Sequence, residues 1–335
     1  MNILITGAGG QMGNAYQMSP DFSDNIFFFA TRDEIDILNF KKLDKFFTKN
    51  KIDYAINFAS FNDMEKAEEN SGIAYETNCI GTRNLATICE KYGSSLIHVS
   101  SSHVFSGDKL ESYTEEDLPE PVNEFGKTKL AGEQEIQKLC KKYVILRIGW
   151  LYSNFSKNFY TELLNLSQKT SEINVSAEEF GSPISSNELC RAIDAVIRKG
   201  ITEQNSGVYH FSGKGITTMV DFAAEIFKQS SLPVDVVPVL FNDPKYLIPL
   251  NTHLSTEKFE KEFEYSPLHW KMALTEIISD KKIFPIKVGF RSIINEKEYV
   301  IASLDWSKEE VTLINTEDMK TRISLSFSDV IVQHR

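Results

Sequence analysis

The chain has 335 residues, of which 41% are hydrophobic and 25% charged, with a formal net charge of −11 at neutral pH. That balance is ordinary for a globular protein. The negative charge argues against a binder of nucleic-acid backbones, and no apolar run approaches the roughly 18–20 residues a membrane helix needs. The length exceeds one usual hydrophobic core, so two or three domains are expected.

In chain order, Asn2–Thr6 reads as a short buried strand, and Gly7–Gly13 as a glycine loop opening a helix. No charged, apolar leader precedes them, which predicts a cytoplasmic protein. Ile26–Ala30 is a second strand. Phe40–Phe47 repeats apolar residues at helical spacing. Tyr54–Phe58, Ser95–Val99 and Tyr143–Arg147 are further strands, and Tyr75–Tyr92 a helix ended by Gly93. Short strands with helical crossovers predict a doubly wound parallel sheet of Rossmann type over residues 1–150. From 151 to 283 the rhythm shortens, with helices expected at Phe159–Gln168, Ser186–Arg198 and Met219–Gln229 between turn-rich stretches. These segments suit a smaller α/β substrate lobe. From 284 to 335 the pattern alternates in short runs: Ile286–Ile293, Tyr299–Trp306, Val311–Ile314 and Ile323–Phe327. That is hairpin patterning and predicts a small all-β module of four or five strands. Cys79, Cys89, Cys140 and Cys190 match no metal spacing and read as reduced, buried thiols. No metal is expected.

The glycine loop carries the first chemical signal. A tight turn at Gly7, close approach of a pyrophosphate at Gly10 and helix–strand packing at Gly13 form a dinucleotide site when the loop joins a strand to a helix. After the second strand, where an NAD-preferring domain often places an acid, the chain has Arg32. Arg32 suits a 2′-phosphate, which favours NADPH, with NADH as the alternative.

These pieces, with Glu34–Ile37, Asn57–Ser60, Glu65–Glu68, Asn78–Thr82, Ser100–Gly107, Phe125–Lys129, Arg147–Tyr152, Asn158–Phe159, Phe180–Pro183 and Gly207–Gly213 in order, run over residues 1 to 280. So arranged, the chain resembles the dTDP-4-dehydrorhamnose reductase family. These are extended short-chain dehydrogenases that reduce a 4-keto nucleotide sugar with NAD(P)H. The resemblance implies a role in deoxysugar or surface-polysaccharide synthesis. It implies cofactor contacts at Gly7, Gly10, Gln11, Met12, Gly13, Arg32, Asp36, Ile37, Phe58, Ala59, Ser60, Asn78 and Lys129. Ser101 and Lys129 fall on catalytic positions, and Ser102, His103, Trp150 and Asn158 on the substrate side.

The departures cluster. Phe125 stands where the family has its catalytic tyrosine, four residues before Lys129. In a Tyr-x-x-x-Lys pair the phenol protonates the alkoxide left by hydride transfer, and phenylalanine has no proton to give. Ser102 replaces an acid and His103 a tyrosine. Ile248 stands where a base is expected before Pro249. Two readings follow. In one, His103, water or another phenol such as Tyr113 or Tyr152 replaces the lost donor, since histidine titrates near neutrality. In the other, the chain is a non-catalytic regulatory or scaffold subunit that binds cofactor. The C-terminal module suits either, as an oligomerisation element or a surface for a protein partner.

Overall fold

The computed structural model describes residues 1–18, 25–240 and 247–279, and further on 291–294, 297–305, 310–315, 317–318 and 321–326. They fall into two compact units, Met1–Ile278 and Ser279–Arg335. In the first unit the strands are β1 (Asn2–Thr6), β2 (Ile26–Ala30), β3 (Tyr54–Asn57), β4 (Ser95–Ser101), β5 (Tyr143–Ile148), β6 (Trp150–Tyr152), β7 (Glu172–Ser176), β8 (Phe180–Gly181), β9 (Pro183–Ser185), β10 (Gly207–Phe211), β11 (Thr217–Thr218) and β12 (Asp235–Val239). The helices are α1 (Gln11–Gln17), α2 (Phe40–Asn50), α3 (Met64–Glu69), α4 (Ser71–Tyr75), α5 (Thr82–Tyr92), α6 (Glu124–Leu139), α7 (Phe159–Ser167), α8 (Ser186–Lys199), α9 (Met219–Gln229), α10 (Glu257–Phe263) and α11 (Trp270–Ser279).

Six strands form one parallel sheet in the order β10-β5-β4-β3-β1-β2. From β1 the chain steps one way to β2, then back across to β3. Right-handed crossovers therefore put α1 and α2 on opposite faces. α1 packs on α8, while α2, α5 and α6 pack together. Leu4, Leu43, Phe47, Ala55, Leu85, Leu96, Ile136 and Ile145 form the core between sheet and helices. Thr6 is level with both Ala30 and Asn57, and Asn57 with His98. The loops after β1, β2 and β3 thus open at one height on the carboxyl edge. The strand order reverses between β1 and β3, which is where such sheets hold ligands.

The segment expected as one helix from Tyr75 to Tyr92 is divided. Between α4 and α5, Glu76–Gly81 is π-helical. A wider turn of this kind is frequent at functional sites, and here it carries Asn78 towards the loop after β3. Gly93 ends α5 at φ +70°, as a left-handed C-cap. The sixth strand, β10, was not singled out from its sequence. Its Val208, Tyr209 and Phe211 are interrupted by a buried His210, so the apolar run is short.

The returning segments build a second core around Tyr152, Tyr160, Leu163, Ile173, Val175, Phe222, Ile226 and Trp270. β7 pairs with β12 in parallel beneath α7 and α9. All four cysteines are free and buried.

Among the described residues, the second unit holds a four-stranded antiparallel sheet: β13 (Arg291–Ile294), β14 (Lys297–Asp305), β15 (Glu310–Asn315) and β16 (Arg322–Ser326). The hairpin reading is therefore correct. Asn315 turns the chain between β15 and β16, its side chain accepting from Glu317 N at 2.8 Å. Residues 286–290 and Trp306 lie outside the described residues.

Candidate active site

Gly7 sits at φ +69°. A Cβ there would stand 2.5 Å from the backbone N of Ala59, so the loop after β1 lies directly against the loop after β3. Gly10 is the extended N-cap of α1 and supplies no side chain to cap it. The first N–H groups of the helix are thus left to an anion in the cleft. Gly13 faces away from the cleft: its Cβ would be 2.4 Å from Ala8 Cα, which ties α1 to the strand end. Gln11 Nε2 is buried with no partner among the described residues.

Beyond β2, Glu34 accepts from both Thr31 N and Thr31 Oγ1, at 2.8 and 2.9 Å. Arg32 reaches Asp36 at 3.5 Å with its side chain 76% exposed. Asp36 also accepts from Leu38 N at 2.9 Å. Glu34 and Asp36 are therefore partly engaged within the protein, and Arg32 is the cation lining this end of the cleft.

At the other end, α6 sets the chemistry. Asn123 caps it by accepting from Gly126 N at 2.8 Å. Gly126 lets the helix approach the turn that follows β4, since its Cβ would meet His103 O at 2.1 Å. Phe125 and Lys129, four apart, share one face of this helix. Phe125 is buried against Ala67, Ala74, Phe61 and Met64. The ring of His103 meets it edge-on, with centroids 5.6 Å apart. Lys129 Nζ donates to Val99 O at 2.7 Å and to Ser60 Oγ at 3.4 Å. Burial pulls its ammonium down to about 8, against a smaller opposing pull from Glu133.

Asn78 does not line the cleft. Its carboxamide accepts from Ser60 Oγ and Phe61 N and donates to Phe61 O and Thr128 Oγ1, all at 2.8–3.0 Å. It braces the β3 loop against α6. Ser101 Oγ accepts from His103 N at 3.1 Å and so caps the short turn after β4. Its own hydrogen remains available to a ligand. His103 is half-buried, and desolvation drives its imidazolium down to about 4, so at neutral pH the ring is uncharged. Neither other phenol lines the cleft. Tyr152 belongs to the second core, and Tyr113 is stacked on Phe105.

The glycine loop, the loops after β2 and β3, the turn after β4 and the start of α6 border one cleft of about 750 Å³. Apart from Gly13 and Asn78, every residue expected at the site lines it, from Gly7 and Arg32 through Ser60 and Lys129 to Trp150 and Asn158. Asn158 does so while capping α7, with its amide nitrogen also donating to Ser153 O and Phe155 O at 3.0 and 3.1 Å. Ile248 is absent from the lining. Among the lining residues that sequence reasoning missed are Phe61, Asn62, Met64, Thr77, Lys157 and Glu162. Lys157 and Glu162 form an ion pair at 2.9 Å on the outer wall, and no motif marked them.

The RmlD substrate binding domain model matches residues 1–283. The dTDP-4-dehydrorhamnose reductase of Aggregatibacter actinomycetemcomitans is 29% identical, over 82% of this chain and 97% of its own. The spore coat polysaccharide biosynthesis protein SpsK of Bacillus subtilis is 28% identical over 83% and 97%. Among solved structures, the dTDP-4-dehydrorhamnose reductase of Clostridium acetobutylicum superposes with a TM-score of 0.80 at 33% identity, covering 84% of this chain and all of that one. The Bacillus anthracis enzyme, in complex with NADP, gives 0.79 at 29%, over 84% and 99%. With the family model spanning the whole Rossmann sheet and the cleft at its carboxyl edge, the chain belongs to the RmlD family, that of the dTDP-4-dehydrorhamnose reductases.

Proposed function

We propose that this chain binds NADP(H) and a nucleotide-linked 4-keto-deoxysugar and reduces the ketone, as its relatives' names describe for dTDP-4-dehydrorhamnose. One observation carries this reading: a single cleft runs from the glycine loop past Ser101 and Lys129 to Trp150. The residues fit the cofactor. A helix start without a side-chain cap, a buried amide of Gln11 without a partner and an exposed Arg32 are suited to pyrophosphate and 2′-phosphate. The relative bound to NADP supports the same choice. When bound, the nicotinamide supplies a hydride to a carbonyl carbon. Gly7, Gly10, Gln11 and Met12 hold the phosphates, Ile37 and Asp36 border the adenine end, and Phe58, Ala59 and Ser60 line the middle. Ser101 donates its hydroxyl hydrogen to the keto oxygen and polarises it. Trp150, Asn158 and Ser102 border the sugar nucleotide. Neutral His103 donates a hydrogen bond but holds no acidic proton near neutral pH.

A second reading rests on one further observation. Phe125 is held in an apolar nest with His103 at its edge, which suits a cofactor-binding subunit that has given up turnover. One experiment separates the two. NADPH and NADH binding is measured, then NADPH oxidation with dTDP-4-dehydrorhamnose, for wild type and Phe125→Tyr. Turnover by the wild type is the expected result. A wild type that binds NADPH but is inert while Phe125→Tyr reduces the sugar would establish the non-catalytic reading. Binding without reaction in both would remove the enzymatic one. The C-terminal sheet lies beyond the family match. We assign it to self-association or partner binding, to be read from the mass of the full chain in solution.

A further inference from the structure

Reduction of a ketone needs a proton as well as a hydride, and Phe125 cannot give it. Resting on the reductase reading, we propose that Lys129 is itself the proton donor of this enzyme. The hydride arrives on the carbonyl carbon from reduced nicotinamide, and the carbonyl π pair moves onto oxygen. That oxygen takes a proton from Lys129 Nζ, directly or across one water. The products are the sugar hydroxyl, oxidised nicotinamide and a neutral Lys129 amine, which regains its proton from water entering the cleft.

Elimination among the cleft's own groups leads here. Its titratable lining residues are Arg32, Asp36, His103, Lys129, Lys157 and Glu162. Arg32 and Asp36 pair with each other beside the β2 loop, far along the cleft from the sugar side. Lys157 and Glu162 pair on the outer wall, with Lys157 82% exposed. His103 is uncharged. Lys129 remains.

Its geometry suits the task. Nζ has three N–H donors. One is given to Val99 O and one to Ser60 Oγ. The third has no protein acceptor among the described residues. Val99 lies on the strand that ends at Ser101, the residue that polarises the ketone. Lys129 also follows Phe125 by one turn on the same helical face, so the proton starts from beside the position where the family's phenol stands.

The charge state fits too. A general acid works best with a pKa near the operating pH. An ordinary lysine holds its proton too firmly, and burial brings this one to about 8. The facing groups are Glu133 on α6, which favours the ammonium, and His98 on β4, which is buried and neutral. Arg147 from β5 faces Glu133 and is neutralised by it.

The test uses the full chain. The pH dependence of kcat is measured with NADPH and dTDP-4-dehydrorhamnose. In parallel, lysines labelled with carbon-13 are titrated by NMR in the NADP-bound protein, Lys129 being assigned by its loss in Lys129→Arg. The expected result is a Lys129 midpoint near 8, a flat kcat below it, and a fall of about tenfold per pH unit above it. Lys129→Arg loses turnover by about 10²–10⁴-fold and loses the break, with its NADP affinity measured alongside so that rates are compared at saturating cofactor. Turnover that stays flat into the alkaline range, or a break that survives in Lys129→Arg, overturns the proposal while leaving the reductase reading standing. Absence of turnover in a wild type that binds NADPH overturns both.

Discussion

Beneath Lys129 lies a buried ion pair whose removal has a calculable effect. Arg147 on β5 reaches Glu133 on α6 through Nε to both carboxylate oxygens at 3.1 Å and through Nη2 to Oε2 at 2.7 Å. The two side chains are 4% and 0% exposed, and the Ser100 hydroxyl completes the carboxylate's partners. In Glu133→Gln the shape and one acceptor survive, but the guanidinium becomes a buried charge without a counter-ion. Breaking such a pair on one side costs about 3–5 kcal/mol. In a unit of this size that is a fall in Tm on the order of 10 °C. Replacing both partners, Glu133→Leu with Arg147→Met, removes the orphaned charge and recovers most of the loss. Thermal unfolding of the three variants reads this directly. A Tm for Glu133→Gln within about 2 °C of wild type, or a double variant less stable than the single one, would refute the assignment. The same substitution has a second readout. Glu133 favours the charged form of Lys129, so in its absence the alkaline break in kcat moves to lower pH.

Two further predictions concern the cofactor. In Gly7→Ala the new Cβ meets the Ala59 backbone at 2.5 Å and the residue is held at φ +69°. The loop must then move, and NADPH affinity measured by fluorescence titration falls by at least tenfold, or the chain unfolds at lower temperature. Arg32→Ala removes the cation suited to the 2′-phosphate. A charge-assisted hydrogen bond is worth about 1.5–3 kcal/mol, so the NADPH Kd rises roughly ten- to a hundredfold while the NADH Kd stays put. Equal weakening of both cofactors would show that Arg32 does not read the phosphate.

Much of the nucleotide-binding half was legible because its signals are local. The glycine loop sits between a strand and a helix, and each buried parallel strand is a short apolar run, so the parallel orientation followed from the helical crossovers. What escaped depends on distant contacts. β10 is disguised by His210, which is buried and donates from Nδ1 to Tyr113 O at 3.1 Å. The π-helical turn at Glu76–Gly81 has no compositional mark, and it exists where Asn78 must reach Ser60 and Thr128. Asn78, expected among the cofactor residues, braces the β3 loop against α6 behind the cleft through contacts that no spacing announces. Glu162 reaches the cleft from α7, which packs on β7, and Lys157 from just before that helix, and no spacing in the chain announces either.

The proton donor is the instructive case, because desolvation acts on both candidates in the same direction with opposite consequences. It disfavours the charged form of any base. Histidine begins near neutrality, and His103 is driven to about 4, so that at neutral pH the ring keeps a hydrogen-bonding N–H but no acidic proton. Lysine begins too high to be a useful acid, and Lys129 is brought to about 8, where it becomes one. From residue identities alone His103 is the natural substitute for a lost tyrosine. Once burial is known the preference inverts, and the residue that would have tuned the phenol is the one left able to do its work.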